Sequence, residues 1–402
     1  MRKPIWNTIV QILGKMGSVG ISLITTGILT RKLGVTGYGN FILIGSLFVL
    51  LDSLADFGTK TIGVREVSKD EDREVANHIF NLRLIMAAAA FGIGLALVWT
   101  WKGLVGIRWE ATVAMLMIFL TSIAGFWEII FQSKLRMDLK VVMDICFPAV
   151  FLVWLLFWQG GVNLLLVFGV YLLARLVSLA VGFNLVREVW KGKISKFDAT
   201  RMKELWKITW PMGVFLLMYA TYDRAIDSLL LQNFFGATQV AWYGLAYKMY
   251  GVLIQPAYFY VNSIFPMMSG KVVNKKELFG KSAGLLLAGA VVLVMGVYWL
   301  SPWMVGVLGG EAFGPSVAIL RILAIGLFFS YIGHLVGFTL ISQGGQKEML
   351  KVGAAGLVFN LIFNLIFIPR YGMAAAAWVT VVTEALDTGM MTWLLLVRVK
   401  RI

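Results

Sequence analysis

A chain of 402 residues that is 59% hydrophobic and only 14% charged has too little polar surface to clothe a soluble globule of its size. A net charge of +15 in a soluble protein would raise nucleic acid as a partner, but here Lys and Arg sit in short connections between apolar runs, where they orient a chain in a bilayer. The single cysteine, Cys146, excludes an internal disulfide and a cysteine-based metal cluster.

A helix in hydrocarbon must satisfy its own backbone and needs ~20 residues to cross. The run after Arg2 and Lys3 continues from Trp6 to Leu29 without a small-residue cleavage pattern and reads as a first span rather than a leader. Runs of similar length follow. The predicted spans are 6–30, 38–59, 76–101, 111–133, 141–158, 162–185, 208–233, 239–262, 282–300, 315–342, 349–368 and 373–397. The class is therefore all-α, a polytopic membrane protein of about 12 transmembrane helices. Most of the 36 Lys and Arg fall at the termini and in the even-numbered connections. The opposite connections hold only Arg31, Lys32, Lys102, Arg108 and Arg370, which places both termini in the cytoplasm.

The longest basic connection, 186–207, divides the chain into six-helix lobes at 1–185 and 208–402. Leu33-Gly34-Val35-Thr36 before Tyr38-Gly39 is echoed by Phe235-Gly236-Ala237-Thr238 before Tyr243-Gly244, and Gly161-Val162 by Gly372-Met373. A duplicated unit with an even number of spans gives parallel, pseudo-symmetric halves. Gly14, Gly17 and Gly20 in the first span permit close helix approach, and Pro211, Pro256 and Pro266 near the ends of spans seven and eight could kink them.

An ionisable side chain at the bilayer centre costs about 2.5–3.5 kcal/mol on insertion scales, so such residues face water, a partner charge or a substrate. Lys15, Arg175, Arg224, Lys248 and Arg321 are cations within spans from both halves. Converging on a cavity, they would suit an anionic cargo, above all a phosphate or pyrophosphate head group. The alternative is that each is neutralised by a neighbouring acid. Asp223 and Asp227, four apart on one helix face, are candidates to bind H⁺ or Na⁺, or else to pair with Arg224, Lys248 or Lys15. Asp52 and Asp56 have the same spacing beside Lys60 and read as an interfacial pair. His78, Arg83, Glu128 and Asp144, near span ends, are expected to reach water by snorkelling. His334 reads as a hydrogen-bonded packing residue, and Glu384 and Asp387 as further acids inside the last span. No Walker motif, HExxH or Cys/His ligand set occurs, so neither a cofactor nor a resident metal is expected.

The stretch from Leu29-Thr30-Arg31-Lys32-Leu33-Gly34 to Tyr38-Gly39, followed by Asp56-Phe57-Gly58 and Val64-Arg65-Glu66, resembles the polysaccharide-exporter family that includes O-antigen and teichoic-acid flippases. In the second half Asp227, Phe235-Gly236, Tyr243-Gly244-Leu245-Ala246-Tyr247-Lys248 and Pro266 resemble the family's seventh-to-eighth helix region. The resemblance implies the multidrug/oligosaccharidyl-lipid/polysaccharide (MOP) exporter fold, with two lobes opening alternately to either side of the membrane. It further implies that polyprenyl-linked oligosaccharide is the cargo, that Lys15 and Arg224 hold its phosphate, and that Arg175 and Lys248 match the family's cavity cations less closely. The absence of two terminal spans found in 14-span lipid II flippases counts against the peptidoglycan precursor as cargo.

The expected protein is thus a non-enzymatic secondary flippase of the cell membrane, working as a monomer with lipid-linked oligosaccharide, membrane lipids and H⁺ or Na⁺ as its partners and no nucleic acid. An ion-coupled multidrug exporter of the same superfamily is the alternative, disfavoured by the cationic interior. A membrane-embedded glycosyltransferase is disfavoured by the short connections.

Overall fold

The computed structural model describes residues 2–69, 73–190, 198–221, 225–269 and 274–399. Among them there are helices and turns and no strand. The helices are α1 (Arg2–Asp56), α2 (Thr59–Lys69), α3 (Arg73–Thr100), α4 (Arg108–Ser133), α5 (Met137–Phe157) and α6 (Leu164–Val189). They continue as α7 (Ala199–Ala220), α8 (Ile226–Phe235), α9 (Ala237–Ser269), α10 (Lys275–Gly309), α11 (Ser316–Ser342) and α12 (Gln346–Val399).

Two of these are double spans. α1 turns at Gly34 (φ 66°, ψ −176°) and α12 at Gly372 (φ 58°, ψ −140°), so each holds two membrane crossings in one continuous run. The predicted seventh span holds α7 and α8, and residues 222–224 between them lie outside the described residues. Among the described residues eight helical runs are long and apolar enough to cross a membrane, those containing α1 and α12 being double, and the chain is a multi-pass membrane protein. Pro211 and Pro256 both lie within helices, α7 and α9.

The chain divides into two compact units, residues 1–33 with 43–225 and residues 34–42 with 226–402. The first has an apolar core of Ile79, Leu82 and Met86 from α3, Ile129 and Phe131 from α4, Met143 from α5 and Leu179 from α6. Met202 and Leu205 bring α7 onto it, and Phe57 stacks on Trp206 with centroids 5.0 Å apart. Membrane helices gain little from hydrophobic transfer against one another, so close approach at small residues matters more. Gly182 of α6, for example, lies where any side chain would meet Trp127 and Met143.

The second unit packs α9, α10 and α12 around α11, with Val336, Leu340, Val352, Met391 and Leu395 in one apolar cluster. The repeated sequence motif has a structural counterpart here. Gly34 and Gly236 (φ 76°) both adopt the left-handed conformation that a residue without Cβ enters freely, and each ends one helix before the next begins. The segments that follow lie against one another: a Cβ on Gly39 would fall on the Ala237 carbonyl, and one on Gly244 would meet Ile42 Cγ2 at 2.8 Å. Tyr38 is buried beside Phe313, edge to face at 5.7 Å. Gly39→Val is therefore expected to cost about 1–3 kcal/mol by overpacking. The check is the melting temperature of detergent-extracted protein followed by size-exclusion fluorescence, and an unshifted midpoint would contradict this close approach.

Candidate functional site

Each unit contains a buried polar cluster. In the first, the Arg83 guanidinium donates to the Asp56 carboxylate and to Thr59 Oγ1 at 2.7 Å through Nη1, and to the Ser122 carbonyl at 3.0 Å through Nε. Its terminal nitrogen occupies the space a side chain on Gly125 would fill, so α4 can carry only glycine at that position without displacing the cation. Asp52, one turn before Asp56, accepts from Thr121 at 2.5 Å. Beyond them Glu128 pairs with Lys60 and Lys140, and Lys140 with Asp144.

This arrangement corrects the expectation of snorkelling. Arg83 is 3% exposed, His78 5% and Glu128 6%, because α2 folds over α4 and α3 where the sequence suggested open connection. Asp52 and Asp56 are likewise members of an internal network and not an interfacial pair. Arg175 of α6 lies within electrostatic reach of Glu128, Asp52 and Asp144 and rests on the Phe147 ring at 5.4 Å. Its Nε is buried without a hydrogen-bond partner. Lys15 is on an exposed stretch of α1, and no hydrogen bond or ion pair reaches it among the described residues.

In the second unit Asp227 of α8 is 2% exposed. It accepts from the Tyr243 hydroxyl and from Asn364 Nδ2 at 2.8 Å. Asn364 also donates to Asn360 Oδ1 at 2.9 Å, Asn360 Nδ2 lies 3.5 Å from Thr383 Oγ1, and Tyr243 is 3.4 Å from Thr380 Oγ1. These groups meet because α12 folds back at Gly372, which sets Asn360 and Asn364, four apart on one face, against Thr383 and Thr380 on the returning arm. Gln239 of α9 secures the turn by accepting from the Met373 N–H at 2.9 Å. Asn364 Oδ1, wholly buried, has no hydrogen-bond partner. One carboxylate among amide and hydroxyl oxygens is the donor set of a hard monovalent cation or a proton and not of a transition metal. Among the described residues no cluster of three or more His, Cys, Asp or Glu side chains occurs.

Farther along the same hairpin, Ser330 donates to Glu384 Oε2 at 2.9 Å and lies 2.8 Å from the Tyr250 hydroxyl, while Asp387 Oδ1 is buried against Gly356 without a hydrogen-bond partner. His334 donates from Nδ1 to the Ser330 carbonyl at 2.7 Å, a packing role. Arg321 is held to α10 through the Tyr298 carbonyl at 3.1 Å and Ser301 Oγ at 3.0 Å, and stacks on Tyr298. It is thereby removed from the set of cations open to a cargo. Lys248 is half-buried on α9. Asp223 and Arg224 lie outside the described residues. The sequence reading missed Asn360, Asn364 and Thr383. The signal was there, two amides one turn apart inside an apolar span, had uncharged polar groups been weighed like charges.

The architecture is that of MOP exporters. It superposes on a multidrug resistance MATE family transporter of the MOP superfamily with TM-score 0.78 at 13% identity, covering 95% of each chain. It superposes on the lipid II flippase MurJ with TM-score 0.78 at 12% identity, covering 97% of this chain and 87% of that one. The polysaccharide biosynthesis protein family model matches residues 5–271, and the chain belongs to that family. Capsular polysaccharide biosynthesis protein CapF of Staphylococcus aureus is 26% identical over 196 residues, 46% of this chain and 48% of that protein. The match thus spans about half the length of that relative. The probable low-salt glycan biosynthesis flippase Agl15 of Haloferax volcanii is 23% identical over 383 residues, 92% of this chain and 78% of that protein.

Proposed function

We propose that this protein is a secondary flippase that moves polyprenyl-(pyro)phosphate-linked oligosaccharide across the cytoplasmic membrane by alternating access, as a monomer with both termini in the cytoplasm. The observation that carries the reading is Lys248. In a chain of the polysaccharide biosynthesis family, it stands half-buried on α9, among the residues that resemble the family's seventh-to-eighth helix region. An ammonium there can hold a lipid-linked phosphate through charge-assisted hydrogen bonds. Lys15, exposed on α1, can serve the same head group. Arg175 offers its open Nε, although three acids already share its surroundings. Arg224 completes the proposed set on family resemblance.

No covalent bond is made or broken, so the protein is not an enzyme. Direction comes from a coupling ion, H⁺ or Na⁺, because a ligand shifts a conformational equilibrium only by its difference in affinity for the two states. Asp227 is the group to hold that ion, with Asn364, Asn360 and Thr383 around it. Asp223 is the second candidate.

The test is translocation of fluorescent polyprenyl-pyrophosphate oligosaccharide in proteoliposomes. Lys248→Ala and Arg224→Ala are expected each to lower the rate about tenfold or more, the loss of a charge-assisted hydrogen bond. Unchanged rates would remove these residues from the site. Export of organic cations with no movement of any lipid-linked sugar would instead establish the multidrug reading.

A further inference from the structure

We propose that Asp387 is a proton-binding site of the second unit, separate from the Asp227 cluster, whose carboxyl is held as the neutral acid inside the folded-back α12 and exchanges its proton with water. This goes beyond the flippase reading, which draws on Asp227 and on cations and leaves Asp387 without a task.

Asp387 stands midway between the turn at Gly372 and the end of α12 at Val399, about 22 Å from that turn along the helix. An ionisable group at that depth ordinarily has a partner charge or faces a functional path. Asp387 has no such partner. No hydrogen bond or ion pair reaches its carboxyl among the described residues, and Oδ1 is wholly buried. The cause lies in the hairpin. On the arm before the turn the residue opposite is Gly356, where a Cβ would fall 2.5 Å from Oδ1 and 2.7 Å from Oδ2. Both oxygens therefore lie over a Cα that carries no side chain, and the acid fits because that position is glycine.

The polar groups around it are engaged elsewhere. Glu384, one turn back, accepts from Ser330 at 2.9 Å, and Thr388 donates to the Phe329 carbonyl at 3.0 Å. Of the helices packed against α12, α8 carries Asp227, α9 carries Lys248 and its tyrosines, and α11 carries Arg321, Tyr331 and His334. The arm before the turn adds Lys347, Glu348 and Lys351 beyond Gly356. None of these bonds to Asp387. Glu384, a like charge, is the group whose field reaches it, so nothing balances an anion at this position. A neutral carboxylic acid removes the conflict, since the buried oxygen then carries no charge. A metal cation would draw several oxygens around it, whereas Asp387 meets a glycine, so the proton is the ligand that fits. Asp387 is half-buried as a whole, and Oδ2, which is not sealed, is the atom through which the proton enters and leaves.

The experiment is infrared spectroscopy of the full chain in liposomes at about pH 6 and about pH 9, a range in which ordinary carboxylates are ionised throughout. Wild type is expected to show the C=O stretch of an un-ionised carboxylic acid at the lower pH, falling roughly tenfold at the higher. Asp387→Asn is expected to lose that component and Glu384→Gln to keep it. Wild type treated with dicyclohexylcarbodiimide, which adds to un-ionised carboxyls in apolar surroundings, is expected to carry the adduct on Asp387 and not on Asp56, which Arg83 pairs. This labelling needs no variant and decides the case if Asp387→Asn fails to fold. A wild type without the acid band overturns the proposal, as does a band that survives Asp387→Asn, that Glu384→Gln removes, or that is equal at both pH values. Labelling of Asp56 in place of Asp387 overturns it too. None of these measurements uses cargo, so their outcome is read apart from the success or failure of the flippase reading.

Discussion

Replacing Arg83 by leucine is expected to destabilise the protein by about 3–5 kcal/mol, the cost of leaving one member of a buried ion pair without the other. The Asp56 carboxylate would lose the guanidinium that neutralises it, and the Thr59 hydroxyl and Ser122 carbonyl that Arg83 also binds would lose their donor. Arg83→Lys is expected to fall short of rescue, since one ammonium cannot reproduce a planar fork that reaches a carboxylate, a hydroxyl and a carbonyl on three chain segments. The double variant Arg83→Leu/Asp56→Leu is expected to recover more than half of the loss, because an apolar pair removes the unpaired charge as well as the attraction. Thermal unfolding in detergent should show a midpoint lowered by on the order of 10 °C for the single leucine variant. A double variant no more stable than Arg83→Leu would show that the pair itself contributes little and that shape at Gly125 governs the site.

The crossings were legible because hydrocarbon imposes a length on apolar runs, and that constraint is local in sequence. Gly34 and Gly236 were legible for a similar reason: a repeated Gly beside Thr and Tyr-Gly marked two turns, and both have positive φ. What could not be read was who partners whom. Asp56 meets Arg83 from 27 positions away and Asp227 meets Asn364 from 137 away, pairings set by which helices pack and by where α12 folds back. α2 was missed because it is short and carries Lys60, Arg65, Glu66 and Lys69, which reads as connection; its apolar side, with Ile62 and Val67, covers the charges that were expected to reach water. Charges inside spans drew attention to the right helices but not to the right chemistry. Arg321 proved to be bound to α10, whereas Asn360 and Asn364, uncharged, proved to surround Asp227.

Asp227→Asn is expected to leave the protein folded and to abolish its response to an ion gradient. The substitution keeps the size of the side chain and one acceptor, for the Tyr243 hydroxyl, and its new N–H can be met by Asn364 Oδ1, which has no hydrogen-bond partner, once that amide turns over, while the Asp227 carboxylate is lost. Coupling free energies of about 1–3 kcal/mol correspond to 5- to 150-fold changes in affinity, so the accelerating effect of an imposed Na⁺ or proton gradient should fall by that order. Exchange of labelled for unlabelled cargo without a gradient does not draw on coupling and should fall far less. Asn364→Leu removes the buried oxygen that has no protein partner and is expected to shift half-maximal stimulation to higher ion concentration while the maximum survives, since the carboxylate remains. The two variants together separate charge from coordination: a shift with Asn364→Leu in Na⁺ titrations alone identifies Na⁺, and a shift in pH titrations alone identifies the proton. If Asp227→Asn retains full stimulation by both gradients, the cluster is structural and the coupling group lies elsewhere, with Asp223 the next position to substitute.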